Sequence, residues 1–294
     1  MGKIKELFEL IKESIQKWQS DDISRLAAAL SFFAVLSIPS ILVLAVTIAG
    51  QVIGESAARQ VVLDQIGQYT GPSAQQAIGN ILKEASRPQG HSLGAIISIA
   101  LLFFSASGVF VQLQAAMNKV WGVKAAPEKS LVNTIKDRVV SFAMVVGMGL
   151  LLIVILFANS LVTILGQTLN SLLPGTFAWV RILNYLLSFI LIMALLILMF
   201  KVIPDIHVQW RDVTVGALVT AILFFIGVVA LSQYFSFSDP TSNYGAAGSL
   251  MALLLWIYFS AQIVFLGAEF TTVYASRYGG QIYPDNDAVW INTA

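Results

Sequence analysis

Residues 26–50 read LAAALSFFAVLSIPSILVLAVTIAG, and this stretch decides the fold of the chain. It contains no charged residue. A helix needs about 20 mostly apolar residues to cross the hydrocarbon core of a membrane, where its backbone groups must bond one another. The stretch therefore predicts a membrane-spanning helix. Five further stretches are also about 20 or more residues long and mostly apolar. The six predicted spans are residues 26–50, 93–116, 139–165, 182–202, 213–235 and 247–274.

The composition of the whole chain agrees with this prediction. Hydrophobic residues make up 57% of the 294 residues and charged residues only 11%, against about 45–50% and about 25% in a soluble domain. Mean hydropathy is +0.80. These values exclude a soluble enzyme, a disordered chain and a coiled coil, and they predict an all-α polytopic membrane protein. The net charge of +1 lacks the basic excess of a nucleic-acid binder, and the absence of Cys excludes cysteine chemistry.

The distribution of positive charge predicts the orientation of the spans. Thirteen of the 17 Lys and Arg residues lie in segments on the side of the two termini, and four lie in segments on the other side. Because segments rich in Lys and Arg stay in the cytoplasm, both termini are expected to be cytoplasmic. This outcome requires an even number of spans, which agrees with six.

Three segments outside the spans carry predictions of their own. Residues 1–22 form an amphipathic helix, which either lies in the cytoplasmic membrane interface or packs its apolar face on the protein's own loops. The outer loop 51–92 forms a helical hairpin of about residues 56–68 and 73–85, and the tail 279–294 is flexible. The apolar residues of the first helix are Ile4, Leu7, Phe8, Ile11, Ile15 and Trp18.

Polar residues within spans one and two are candidates for a substrate pathway. Pro39 predicts a kink in span one, flanked by Ser37 and Ser40; the alternative is a packing kink with serines bonded to their own backbone. Span two is polar on two faces, so it is expected to be central. Its polar side chains either line a pathway or join helices by hydrogen bonds, and Asn118 near the end is expected to act as a tether or cap. The span-two candidates are Ser107, Gln112, Gln114 and Asn118.

Span six carries the most deeply placed acid of the chain. Tyr258, Gln262 and Glu269 lie on one helical stripe. A carboxylate at this depth should face inward and either pair or be protonated. Arg25 and Lys201 are its predicted partners, although Arg25 could instead pair locally with an acid at i−3 or i−4. Glu269 is then either half of a structural ion pair or a carboxylate that couples transport to protons or cations.

No sequence motif indicates an enzyme. The chain lacks a P-loop, an HExxH metal motif and a GxSxG nucleophile elbow, and its two histidines are too few for a three-histidine zinc site. We therefore expect no catalytic activity, no metal and no cofactor.

Several of these residues resemble the YihY/BrkB family of bacterial inner-membrane proteins, also called ribonuclease BN-like. The resemblance covers residues 10–278. It includes the small-residue start of span one with Pro39, the run Gln114…Asn118-Lys-Val-Trp121-Gly-Val, Tyr244-Gly245, Trp256-Ile-Tyr258 and Gly267-Ala-Glu269. It implies six spans, cytoplasmic termini and, by analogy, an envelope-related exporter or lipid transporter.

These observations favour an inner-membrane transporter of a lipid-like or small amphipathic solute, with a polar cavity between spans one, two and six. A non-transporting scaffold for envelope assembly is the alternative, and an intramembrane hydrolase or nuclease ranks last. The expected partners are membrane lipids and a small-molecule or lipid substrate, not nucleic acid. Small residues in span three would allow close helix contact between copies of the chain, so a homo-oligomer is a further possible partner.

Overall fold

The computed structural model describes residues 2–70, 75, 78–80, 82–83, 108–126, 162, 177–238, 248–285 and 288–291. All of predicted span three except residue 162, and the first part of predicted span two, lie outside these residues. In chain order the elements are α1 (Gly2–Ser20), α2 (Ile23–Ile53), α3 (Glu55–Thr70), β1 (Val123–Ala125), α4 (Phe177–Val202), β2 (Ile206–His207), α5 (Trp210–Ser238), α6 (Gly248–Tyr278), β3 (Tyr283–Pro284) and β4 (Ala288–Trp290). Residues 108–120 are also helical.

Three of the described helices are long and apolar enough to cross a membrane. They cover Ile182–Val202, Trp210–Phe235 and Leu250–Tyr278, within α4, α5 and α6. They coincide with predicted spans four, five and six. Helix α2 contains the whole of predicted span one, and the 108–120 helix contains the end of predicted span two.

Helix α6 is the centre of the described bundle, where α5, α2 and α1 all pack against it. The main core brings together buried side chains from α2, the 108–120 helix, α4, α5 and α6; examples are Ile23, Met117, Phe200, Val213 and Phe265. Alanines fill much of the remaining core, and small side chains let apolar helices approach closely where lipid gives no hydrophobic drive for association.

The far half of α2 packs in a second core with α3. Helix α2 ends at Ile53 and is capped by Gly54, whose φ of 85° lies in the left-handed region and whose N–H donates to the Gly50 carbonyl at 2.9 Å. Glycine adopts this conformation without the steric cost of a Cβ. The chain then turns back, so that Val46 of α2 and Val62 of α3 share a core with Ile78 and Leu82.

The C-terminal tail differs from its prediction. The sequence predicts a flexible segment over 279–294, but β4 pairs with β1 after the 108–120 helix, and β3 pairs with β2 between α4 and α5. The Asp285 N–H also donates to the Asp205 carbonyl at 3.0 Å, and the Ile291 N–H donates to Gly122 at 2.8 Å. The tail thus joins two connections that are distant in sequence. Its Gly, Pro and Asn content suggested mobility because strand partners so far away leave no local signal.

Helix α1 packs along the last turns of α6. Leu10 is buried with Phe270 and Val273. Asp22, with a φ of 53° in the left-handed region, separates α1 from α2. The sequence left open whether this helix meets the membrane or the protein, and one of its faces packs on α6.

Candidate functional site

The site is built around α6, whose two sides make different contacts. Toward α5, the segments 216–220 and 267–271 both read Gly-x-x-x-Thr. A methyl group built on Gly216 would overlap Thr271, and one on Gly267 would overlap Thr220. Each Thr hydroxyl donates to the carbonyl of the glycine four residues earlier in its own helix, at 2.7 Å. The glycine–threonine seam, as we call these four residues, is therefore close-packed and its hydroxyls are satisfied.

Glu269 lies on the other side of α6. It is two residues from both Gly267 and Thr271, about 200° around the helix from each, so it points away from α5. The side chain is completely buried, at 0% exposure, and Lys17 Nζ of α1 lies 4.0 Å from its Oε2. Neither carboxylate oxygen accepts a hydrogen bond from a described N–H or hydroxyl group, and the polar side chain beside it is the Asp21 carboxyl. Asp21 and Lys119 are the other charged residues that act on this carboxylate.

This arrangement corrects the predicted partners of Glu269. Arg25 pairs instead with Asp22 at 3.1 Å, in an exposed pair at i, i+3 that matches the local alternative. Lys201 donates to the Val208 carbonyl at 2.5 Å and lies over the Trp210 ring. Lys17 takes the predicted role because α1 packs along α6, a placement that the sequence did not fix.

The polar stripe of α6 continues toward α2. The Ser24 hydroxyl lies 3.5 Å from Gln262 Oε1, a long hydrogen bond between partly buried groups. Tyr258, one turn before Gln262 in α6, is half-buried against the main core. Gln262 therefore faces α2 and Glu269 faces α1, whereas the predicted pathway lies between spans one, two and six.

Gln114 and Asn118 are bound to a residue that the sequence did not select. Gln114 Nε2 donates to Asp205 Oδ1 and Asn118 Nδ2 to Asp205 Oδ2, each at 2.8 Å. The Asp205 N–H in turn donates to Asn118 Oδ1 at 2.8 Å. Asn118 is thus a tether, as expected, and Gln114 joins the same contact. We call this group the Asp205 clamp; it ties the 108–120 helix to the α4–α5 connection.

The structure describes the surroundings of only some of the remaining pathway candidates. Ser37 is completely buried in α2, where it has an interaction partner. Pro39 and Ser40 lie within α2, but their side chains are outside the described part of the chain. Gln112 is half-buried in the 108–120 helix, and Ser107 lies outside the described residues. Among the described residues, no three His, Asp or Glu side chains come together as metal ligands would.

Comparison with known proteins finds one family over nearly the whole chain. Residues 14–289 match the family described as virulence factor BrkB. A UPF0761 membrane protein of Psychromonas ingrahamii is 24% identical over 92% of this chain and 89% of its own length. One of Tolumonas auensis is 30% identical over 65% of this chain, and one of Rhodospirillum centenum is 25% identical over 96%. These two matches cover only 59% and 61% of the relatives' own lengths. No solved structure matches the chain.

Proposed function

The chain belongs to the virulence factor BrkB family of membrane proteins, and from this premise we propose that it is a bacterial inner-membrane transporter or exporter of a lipid-like or small amphipathic solute. We propose six spans, cytoplasmic termini and a solute path between α2, the 108–120 helix and α6. In this proposal the chain moves its solute without catalysing a reaction.

The observation that carries the proposal is the state of Glu269. A purely structural ion pair in a membrane protein should satisfy its carboxylate closely, because an uncompensated buried charge costs several kcal/mol by order of magnitude. Here no described N–H or hydroxyl group donates to either oxygen, the neighbouring polar group is the Asp21 carboxyl, and the nearest ammonium is 4.0 Å away. A carboxylate held this loosely can exchange its partner for a proton or another cation. We therefore assign Glu269 as the coupling acid.

Lys17 provides the means of exchange. Its side chain is 39% exposed while Glu269 is fully buried, so one partner of the pair is reachable from outside the bundle. Lys17 belongs to α1, which is separated from α2 by the left-handed residue Asp22. Movement of α1 at this break would withdraw Lys17 and open Glu269 and the adjoining Gln262 to the path.

Flux in vesicles tests the proposal. The full chain would be reconstituted in vesicles of phosphatidylethanolamine and phosphatidylglycerol that contain a trace of NBD-labelled phosphatidylglycerol. Access of dithionite to the label then reports movement between leaflets. We expect protein-dependent movement of the labelled lipid between leaflets, and we expect it to be lost in Glu269→Gln. Glu13→Gln is the matched control, because Glu13 is an acid of α1 in the same contact between α1 and α6, and movement should be retained in it. Equal movement in Glu269→Gln and the unchanged chain would contradict the role of Glu269.

A membrane scaffold is the second candidate, and the Asp205 clamp and the tail strands favour it. These contacts hold together segments far apart in sequence, as a rigid platform for other envelope proteins would require. A scaffold predicts no solute movement in the vesicle assay. It also predicts that crosslinkers placed on the exposed residues of β4, such as Trp290, recover one defined partner protein from cells.

A further inference from the structure

Helix α1 presents two different faces. One face packs on α6, where Leu10 and Ser14 are buried and Arg277 pairs with Glu13 at 2.7 Å and with Glu9 at 3.6 Å. The other face is apolar and uncovered: Leu7 is 50% exposed, Phe8 67%, Ile11 44% and Ile15 43%. We call these four residues the α1 stripe.

The α1 stripe is continuous. At about 100° per residue, its four side chains fall within roughly 100° of the helix circumference. Lys5 and Lys12, both exposed, border the stripe on the side away from α6. The acids of α1 lie on the face of the helix opposite the stripe, where Arg277 pairs with Glu9 and Glu13. The stripe thus has an apolar surface with positive charge along its free edge.

The position of α1 along α6 indicates what covers the stripe. Leu10 packs beside Phe270 and Tyr274, and Tyr274 contacts the rings of both Phe270 and Tyr278. Tyr278 at the end of the span is 49% exposed, and Trp210 at the start of α5 is 58% exposed. Exposed Tyr and Trp at the ends of spans mark the level of lipid headgroups. Helix α1 therefore runs beside the span ends at the membrane surface.

We propose that the α1 stripe inserts into the cytoplasmic leaflet of the membrane, with Lys5 and Lys12 at anionic lipid headgroups. Water is a poor occupant because it would leave four large apolar side chains of one helix face hydrated. Anionic lipid suits the stripe because acyl chains cover its apolar surface and headgroups neutralise its basic edge. The proposal does not depend on transport and would hold equally for a scaffold.

Site-directed spin labelling of the full chain tests the proposal. The chain contains no Cys, so a single Cys carries the only label. We would label Ile11→Cys on the stripe and Gln16→Cys, an exposed position beyond the basic edge, and reconstitute each in vesicles containing phosphatidylglycerol. Collisions with oxygen, which concentrates among acyl chains, are compared with collisions with a water-soluble nickel chelate. Ile15→Cys replaces Ile11→Cys if the latter does not elute as a folded species.

We expect oxygen collisions to dominate at residue 11 and nickel collisions to dominate at residue 16. The excess of oxygen collisions at residue 11 should fall in vesicles of neutral phosphatidylcholine. Dominant nickel collisions at residue 11 would overturn the proposal, because the stripe would then face water. Protection from both reagents would also overturn it, and spin–spin broadening would then identify a second copy of the chain as the occupant. An unchanged ratio in neutral vesicles would overturn the assignment of anionic headgroups.

Discussion

The side of α6 that meets α5 and the side that meets α1 lie on the same turns of one helix, yet they are held together differently. Toward α5, the glycine–threonine seam contains short side chains in direct contact, and each hydroxyl is bonded within its own helix. Toward α1, Leu10 packs on Phe270 and Val273, and long charged side chains make the rest of the contact, with Lys17 and Glu269 separated by 4.0 Å. Gly267 and Glu269, two residues apart, belong to opposite sides of this contrast.

The difference indicates which of the two contacts of α6, with α5 or with α1, can move. Helices that interlock through glycine and threonine cannot shift without overlap or loss of packing, so α5 and α6 should behave as one rigid unit. The ionic part of the contact between α1 and α6 can open by rotation of its flexible side chains, and the apolar part is small because it is centred on Leu10. We expect α1 to be the moving part and the α5–α6 pair to be the frame. Each variant below tests one side of this contrast.

The largest effect is expected for Gly267→Ala. The added methyl group would overlap the Thr220 side chain, and the cost of overpacking should outweigh the gain in helix propensity, for a net loss of about 3 kcal/mol of unfolding free energy. Thermal unfolding followed by the fluorescence of the tryptophans measures the change. Gly79→Ala is the control, because its methyl group would meet Leu63 at an ordinary 3.7 Å. Equal stability of the two variants would contradict a tight seam; rescue of Gly267→Ala by Thr220→Gly would locate the overlap.

Lys17→Met should have the next largest effect. The variant leaves the buried Glu269 without its nearest cation, and we expect a loss of about 1–2 kcal/mol of unfolding free energy. This is below the roughly 3–5 kcal/mol of a fully buried pair because solvent screens the 39% exposed Lys17. The double variant Lys17→Met/Glu269→Gln should recover most of the loss, since no buried charge remains. If the double variant is as unstable as Lys17→Met alone, Lys17 acts through packing and not through Glu269.

The two sides of α6 were also unequally predictable from sequence. The spans follow from apolar length, which is a local property, so α4, α5 and α6 match their predicted boundaries closely. Glu269 was identified because a lone acid in an apolar stretch is conspicuous. Its partner Lys17 was not, because the partner depends on how α1 packs. The Gly-x-x-x-Thr repeat in 216–220 and 267–271 is a local sequence signal for the seam, although it does not show which two helices meet there.

The tail and the Asp205 clamp could not have been predicted in the same way. Asp205 follows Pro204 in a short connection, where an acid is an ordinary solvated residue. Only tertiary packing brings Gln114 and Asn118 to it. Likewise, β3 and β4 are too short to show an alternating pattern, and their partner strands precede them by more than 75 and 150 residues respectively. Long-range pairing of such short segments carries almost no local pattern.

Asp205→Ala tests whether the Asp205 clamp belongs to the rigid frame or to the moving part of the protein. The change removes the acceptor of the Gln114 and Asn118 amides, which are partly buried. Because Asp205 is only half-buried, water can replace part of the lost bonding, and we expect a loss of about 1 kcal/mol. The double variant Asn118→Ala/Asp205→Ala should cost little more than Asp205→Ala, as for residues in one hydrogen-bond network. Simple additivity would show that the two contribute separately.

The smallest effect is expected for Arg277→Gln, at the outer part of the contact between α1 and α6. Arg277 pairs with Glu9 and Glu13, and all three side chains are at least one-third exposed, so the pairs should contribute about 0.2–1 kcal/mol. The loss should shrink further at high salt, because screening weakens exposed ion pairs. In contrast, the loss in Lys17→Met should persist at high salt because Glu269 is buried. A salt-independent effect in Arg277→Gln would mean that this part of the contact is packed like the glycine–threonine seam, and α1 would then belong to the frame.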